Sequence, residues 1–158
     1  MTTLTSNGMK ALQYSGPSGN KSVIRGNFAT NASGVAANQS DLATAVQIND
    51  VARLAILPAG TVLDDAVAIV SDAFAASTTA DIGFLYADGV DSSAVPQNAA
   101  FFFSGLATSS TGRTRTTAVN APVTLPKDAY LTLTRKGAAD SAVGIVDVLV
   151  DCVLRGAV

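Results

Sequence analysis

Near its C-terminus the chain alternates with a period of two. In Gly144 to Leu154, the positions Val146, Val148, Val150, Cys152 and Leu154 are separated by Ile145, Asp147, Leu149, Asp151 and Val153. A strand turns successive side chains to opposite faces, so this spacing lays one apolar row along one side of a sheet. Two Asp and a β-branched majority oppose a helix over the same residues. The other face is half apolar as well, which implies partial cover by another subunit or by an N-terminal arm.

The rest of the chain uses the same vocabulary. Ser22 to Thr30 reads as a first strand, Thr61 to Phe74 as a long one, and Asp81 to Ala87 carries Ile82, Phe84 and Tyr86 at period two. Phe101, Phe102 and Phe103 mark another strand, and Tyr130 to Arg135 alternates again. Ala43 to Leu57 fits either period. Its β-branched content and the following Pro58, Ala59 and Gly60 favour a strand that ends in a turn. Asp88-Gly89 is a strong turn dipeptide. Thr108 to Thr117 reads as a loop, and Lys136 to Ser141 as a turn. The sum is about eight strands joined by turns, with no long helix, which predicts an all-β jelly roll or β-sandwich of antiparallel strands. The domain spans residues 22–158. Residues 1–21 are polar and Gly/Ser-rich, and read either as an extended arm that orders on a partner or as a disordered tail.

Composition narrows function. The chain has no His, Glu or Trp, and its 12 acidic residues are all Asp. His is the usual proton-transfer group near neutral pH and Glu its commonest substitute, so most catalytic designs are excluded. A lone Cys152 in an apolar run reads as an inert core thiol, and with no His a zinc site is excluded; no cofactor is expected. A net charge of −2 with scattered basic residues argues against nucleic acid. No apolar stretch approaches the ~20 residues that cross a bilayer, so no membrane partner is expected. The N-terminus lacks a signal-like pattern, which implies a protein made in the cytoplasm and released, if at all, by a route such as lysis. Charged residues are only 14% of the chain, against about 25% usually. That suits a subunit that buries much of its exterior against neighbours; the alternative is a soluble domain with a Thr/Ser-rich surface.

Few constellations carry chemistry. Asp64 and Asp65 lie within a strand, where neighbours are expected to face opposite sides and cannot converge as an acid/base pair. Asp88 and Asp91 share a turn but lack the closing Glu of a calcium loop. Thr2 has no supporting residues for N-terminal nucleophile chemistry. Arg113 and Arg115 form the densest positive spot, suited to an acidic patch on a partner, or else to a solvated loop tip. The Phe101–Phe103 triplet is expected to leave at least one ring outside the core as a contact residue, unless a loop covers it. Candidate interface residues are therefore Arg113, Arg115, Phe101, Phe102, Phe103 and Tyr14.

The segment from Leu57 through Pro58, Ala59, Gly60 and Thr61 to Phe74, followed by Thr79, Ala80, Asp81, Ile82, Gly83 and Phe84, resembles tailed-bacteriophage head decoration, or cement, proteins with a jelly-roll body. In that pattern a Pro-Ala-Gly turn opens a long strand and an Asp-Ile-Gly strand pairs with it. Leu131 to Asp151 resembles the family's closing hairpin. The resemblance covers roughly residues 55–90 and 130–155 and not the arm. It implies a non-enzymatic virion protein, assembled in the host cytoplasm, that binds the outer surface of a capsid and clamps neighbouring major capsid proteins. It also implies a homo-oligomer, dimer or trimer. A tail, head–tail or fibre-base subunit and a carbohydrate-binding sandwich are the alternatives, the latter weakened by the absence of Trp.

Overall fold

The computed structural model describes residues 3–5, 21–38 and 43–154, and their regular elements are all strands. In chain order these are β1 (Thr3–Thr5), β2 (Lys21–Thr30), β3 (Val51–Leu57), β4 (Thr61–Asp72), β5 (Thr79–Tyr86), β6 (Asn98–Ala107), β7 (Gly112–Arg115), β8 (Val123–Thr124), β9 (Ala129–Lys136) and β10 (Gly144–Leu154). Sheet one runs β1-β3-β9-β5-β6. Sheet two runs β2-β10-β4-β7, with β8 also on β4. All pairings are antiparallel except β1 beside β3, where Thr3–Thr5 lies parallel to Val51–Arg53. The expected all-β sandwich is what forms.

The alternation of β10 explains why two layers result. Val146, Val148, Val150 and Cys152 are fully buried, as are Phe28, Leu63, Ala66 and Ala68 on the strands beside it. Across the gap, sheet one contributes Leu54, Leu57, Ile82, Phe84, Leu131 and Leu133 to the same cluster. Each such side chain contributes roughly 1.5–3 kcal/mol on leaving water. The layers come close at Gly26, where a Cβ would lie 2.6 Å from Leu54 Cβ.

Connectivity departs from the hairpins expected. The β4 and β5 strands do not pair, nor do β9 and β10; each pair is divided between the two sheets. Among the described strands, β5 and β6 are the only consecutive neighbours. The break after β4 crosses the sandwich because Phe74 plunges into the core and its amide bonds to Thr108 O, while Ser77 takes a positive φ. The Pro58–Gly60 turn likewise carries the chain from sheet one to sheet two, with Gly60 at φ 79° and the Thr61 amide bonded to Pro58 O.

Two segments also change state. The strand expected from Ala43 begins only at Val51, because Asn49 adopts φ 71° and Asp50 accepts a hydrogen bond from the Gln47 amide, closing a turn. The loop expected over Thr108 to Thr117 instead contains β7, paired from Gly112 to Arg115 with Val70 to Val67 of β4. The proposed arm falls largely on residues 6–20, outside the described residues, and Tyr14 lies there with it.

Candidate interaction surface

The outer face of sheet two carries most of the ion pairs. Asp64 and Asp65 share this face rather than opposing each other. The β10–β4 ladder shifts between Asp151 and Cys152, whose partners are Asp65 and Leu63, so Asp64 is an extra residue in the strand. Such a bulge suspends the alternation, and Leu63 and Ala66 on either side both stay buried. The register then sets Asp65 directly across from Asp151, a repulsive pairing. Cations offset it. Lys21 Nζ lies 3.1 Å from Asp64 and 3.5 Å from Asp151, and Arg115 Nε donates to Asp65 at 2.6 Å. The hydrogen bond to Asp64 raises the Lys21 ammonium above its ordinary pKa. Burial works to raise Asp65, but donation from Arg115 and the Ala66 amide prevails and holds its carboxyl below the usual range. A third cluster joins Arg25 and Asn27 to Asp147 at 2.9 and 2.7 Å. Exposed pairs of this kind stabilise a fold by about 1 kcal/mol at most.

Among the described strands β7 is an edge of sheet two, and all four of its residues are exposed. It places Arg113 and Arg115 on one face. Arg115 is tied to Asp65, while Arg113 makes no ion pair with any described residue. The sequence-based view of these arginines as a loop tip is thus corrected: they stand on a strand.

The phenylalanine triplet behaves differently from expectation. Phe101, Phe102 and Phe103 are all buried, at 9%, 2% and 7% exposure. The β5–β6 ladder slips between the pairs Ile82–Phe103 and Phe84–Asn98, so β6 loses its alternation there. Its backbone passes so close to Gly83 that a Cβ would lie 2.6 Å from Phe101 N. Phe101 packs edge-on against Phe84 and Phe102, with centroids 5.4 and 5.0 Å away. The segment after β7 then covers the edge: Asn120 Nδ2 donates to Phe101 O and Thr116 Oγ1 to Phe102 O. What remains open is a groove of about 460 Å³ between β6 and β7, lined by Phe102, Phe103, Leu106 and Val70 on its apolar side.

Sequence reasoning missed the most unusual pair. Arg135 and Asp140 are both fully buried, with Nη2 and Oδ2 2.9 Å apart. The Arg135 guanidinium packs over Phe74 and Phe28, 4.5 and 5.6 Å from the ring centroids, and Nη1 donates to Thr108 Oγ1 at 2.8 Å. Burial pushes the Asp140 carboxyl up to about 6 against the opposing pull of Arg135. The signal was available, since Leu131, Leu133 and Arg135 fall on one face of the alternating run. The pair ties loops together at one end of the sandwich: the Asp140 amide bonds to Val46 O, and Asn49 N to Arg135 O.

The remaining candidates are structural. Cys152 is buried, and desolvation pushes its thiol up to about 11. In the turn after β5, Asp88 binds Lys127 at 2.7 Å, and Asp91 accepts from the Ser92 and Gln97 amides. Among the described residues no group of three His, Cys, Asp or Glu could hold a metal ion.

In sequence, no protein-family model matches the chain, and no curated protein does either. Solved structures do match in fold. A chain in the capsid of Ralstonia phage GP4 superposes with a TM-score of 0.68 at 14% identity, over 99% of this chain and 100% of that one. A chain in the capsid asymmetric unit of cyanophage Pam1 superposes with a TM-score of 0.62 at 19% identity, over 91% of each. The sandwich is therefore a fold found, over most or all of a chain, in two phage capsids.

Proposed function

We propose that the chain is a virion structural protein that binds the outer surface of a phage capsid and cements neighbouring major capsid proteins. The observation that carries this reading is the likeness, over at least 91% of each chain, to chains of similar size in two phage capsids. The surface supports it. Charged groups are few, and an exposed edge strand with two arginines offers main-chain and electrostatic contacts to a neighbour. Many copies, each weakly bound, hold a shell firmly because they engage together. The protein acts without catalysis, as a homo-oligomer of two or three copies. The experiment is to add purified protein to expanded capsids that lack it and to measure co-sedimentation and resistance to heat or chelator. Saturable binding with a raised disruption temperature is expected. Failure to bind capsids at all would remove the cementing role.

A further inference from the structure

We propose that the free edge of β7 and the groove beside it receive an extended acidic strand from a partner protein, added to sheet two as a further strand. The inference deepens the capsid reading by naming the contact, and it is stated for the isolated chain, so it can fail or succeed without any capsid present.

Three observations converge on this edge. No described strand lies beyond β7, so alternate amides and carbonyls on its outer side are open to a new ladder. The opposite margin of the groove differs, because side chains from Thr116 and Asn120 already occupy the β6 carbonyls of Phe102 and Phe101. Approach is also unobstructed. Gly112 and Gly105 both line the groove, and a Cβ on either would meet nothing within 4 Å. Glycine in a strand marks places where a second backbone can come close. Finally, the groove is of mixed character, with Phe102, Phe103, Leu106 and Val70 beside Thr111 and Thr114, so alternate side chains of an added strand find apolar as well as hydroxyl contacts there.

Charge selects the occupant. The outer face of β7 carries Arg113, which pairs with no described residue, and Arg115, whose guanidinium remains largely exposed beside Asp65. Antiparallel pairing of β7 with the β7 of a second copy would gather four guanidinium groups on one face, which is repulsive. A strand with Asp or Glu at alternate positions reverses that sign, placing carboxylates over the arginines and apolar side chains over the groove. The edge is thus guarded against its own copy and open to an acidic partner.

The test uses the purified chain and two synthetic peptides, blocked at both ends: one alternating Asp with Val and Thr, the other with Lys in place of Asp. Backbone amide NMR shifts are followed to peptide concentrations of about 1 mM. The acidic peptide is expected to shift the amides of Gly112 to Arg115 and the neighbours of Phe102 and Phe103, while the basic one leaves them unmoved. Arg113→Glu should weaken acidic-peptide binding about tenfold. Gly112→Leu fills the groove where space is open, and should block binding while leaving the thermal midpoint unchanged. No shift in β7 at the highest concentration would overturn the proposal. So would equal binding of both peptides, or β7 shifts that depend only on protein concentration and report self-pairing.

Discussion

Replacing Asp140 by Ala tests whether the loops at one end of the sandwich are locked by a buried charge pair. Both partners are fully buried and 2.9 Å apart, and the guanidinium packs against the stacked rings of Phe28 and Phe74. Arg stays charged at any pH a protein survives. Removal of the carboxylate therefore leaves an uncompensated cation in the core, with Thr108 Oγ1 and the Thr79 carbonyl as its remaining acceptors. Breaking a buried pair in this way costs about 3–5 kcal/mol, a large part of the 5–15 kcal/mol typical of a whole domain. Arg135→Met in the same background removes the stranded charge and keeps an apolar stem against Phe28 and Phe74. Most of the loss should return, because apolar replacements of buried pairs are often near neutral. The assay is urea unfolding at pH 7 followed by far-UV circular dichroism for the parent, both single variants and the double variant. The expected coupling is above about 2 kcal/mol. Amide exchange should localise the damage to Val46, Asn49 and Asp140, whose backbone bonds join the loops. An Asp140→Ala loss below about 1 kcal/mol, the size of a surface pair, would refute the reasoning.

Other outcomes follow from the same structure. Gly26→Ala puts a Cβ 2.6 Å from Leu54 Cβ and should cost about 1–3 kcal/mol by chemical denaturation, since the sheets must separate; an unchanged midpoint would contradict the close approach. The Asp140 carboxyl, followed by carbon NMR, should titrate near 6 and not near the ordinary 3.8. The native state then keeps a proton that the unfolded chain releases, so this group makes stability fall as pH rises from about 4 to 6. Asp65 and Asp88 act with opposite sign, because their carboxyls are held low; their contribution is present above pH 4 and lost as the pH drops further. Cys152 should resist thiol reagents at pH 8 in the folded protein and react at once in urea; rapid native labelling would mean the β10 core face opens.

Strands were legible in the sequence where one face alone is buried. β10 keeps strict alternation from Gly144 to Cys152, and its apolar row is the row that packs. The β5 strand behaves the same way through Ile82, Phe84 and Tyr86. Pairing was not legible, because turn signals such as Pro58–Gly60 and Lys136–Ser141 state that the chain reverses but not whether it returns to its own sheet. Here those reversals cross the sandwich, so neighbours in space are distant in sequence. Bulges hid two further features. A single extra residue at Asp64 brings two carboxylates to one face, and the slip opposite Gly83 buries all three phenylalanines. Alternation lapses at Asp64-Asp65 and at the phenylalanine triplet, but the sequence does not say which faces result, since each is fixed by the strand across from it. Arg113 and Arg115 stand out in the sequence as its densest basic spot, but a stretch so rich in Ser, Thr and Gly gave no sign of the ladder with Val67 to Val70.

The most direct test of the proposed capsid role is a cryo-electron microscopy reconstruction of the phage particle proposed to carry this chain, at a resolution that separates strands. A two-sheet body of this topology should appear on the outer lattice of the head, touching more than one major capsid subunit. A purified particle without the protein, or with it confined to the tail, would contradict the account.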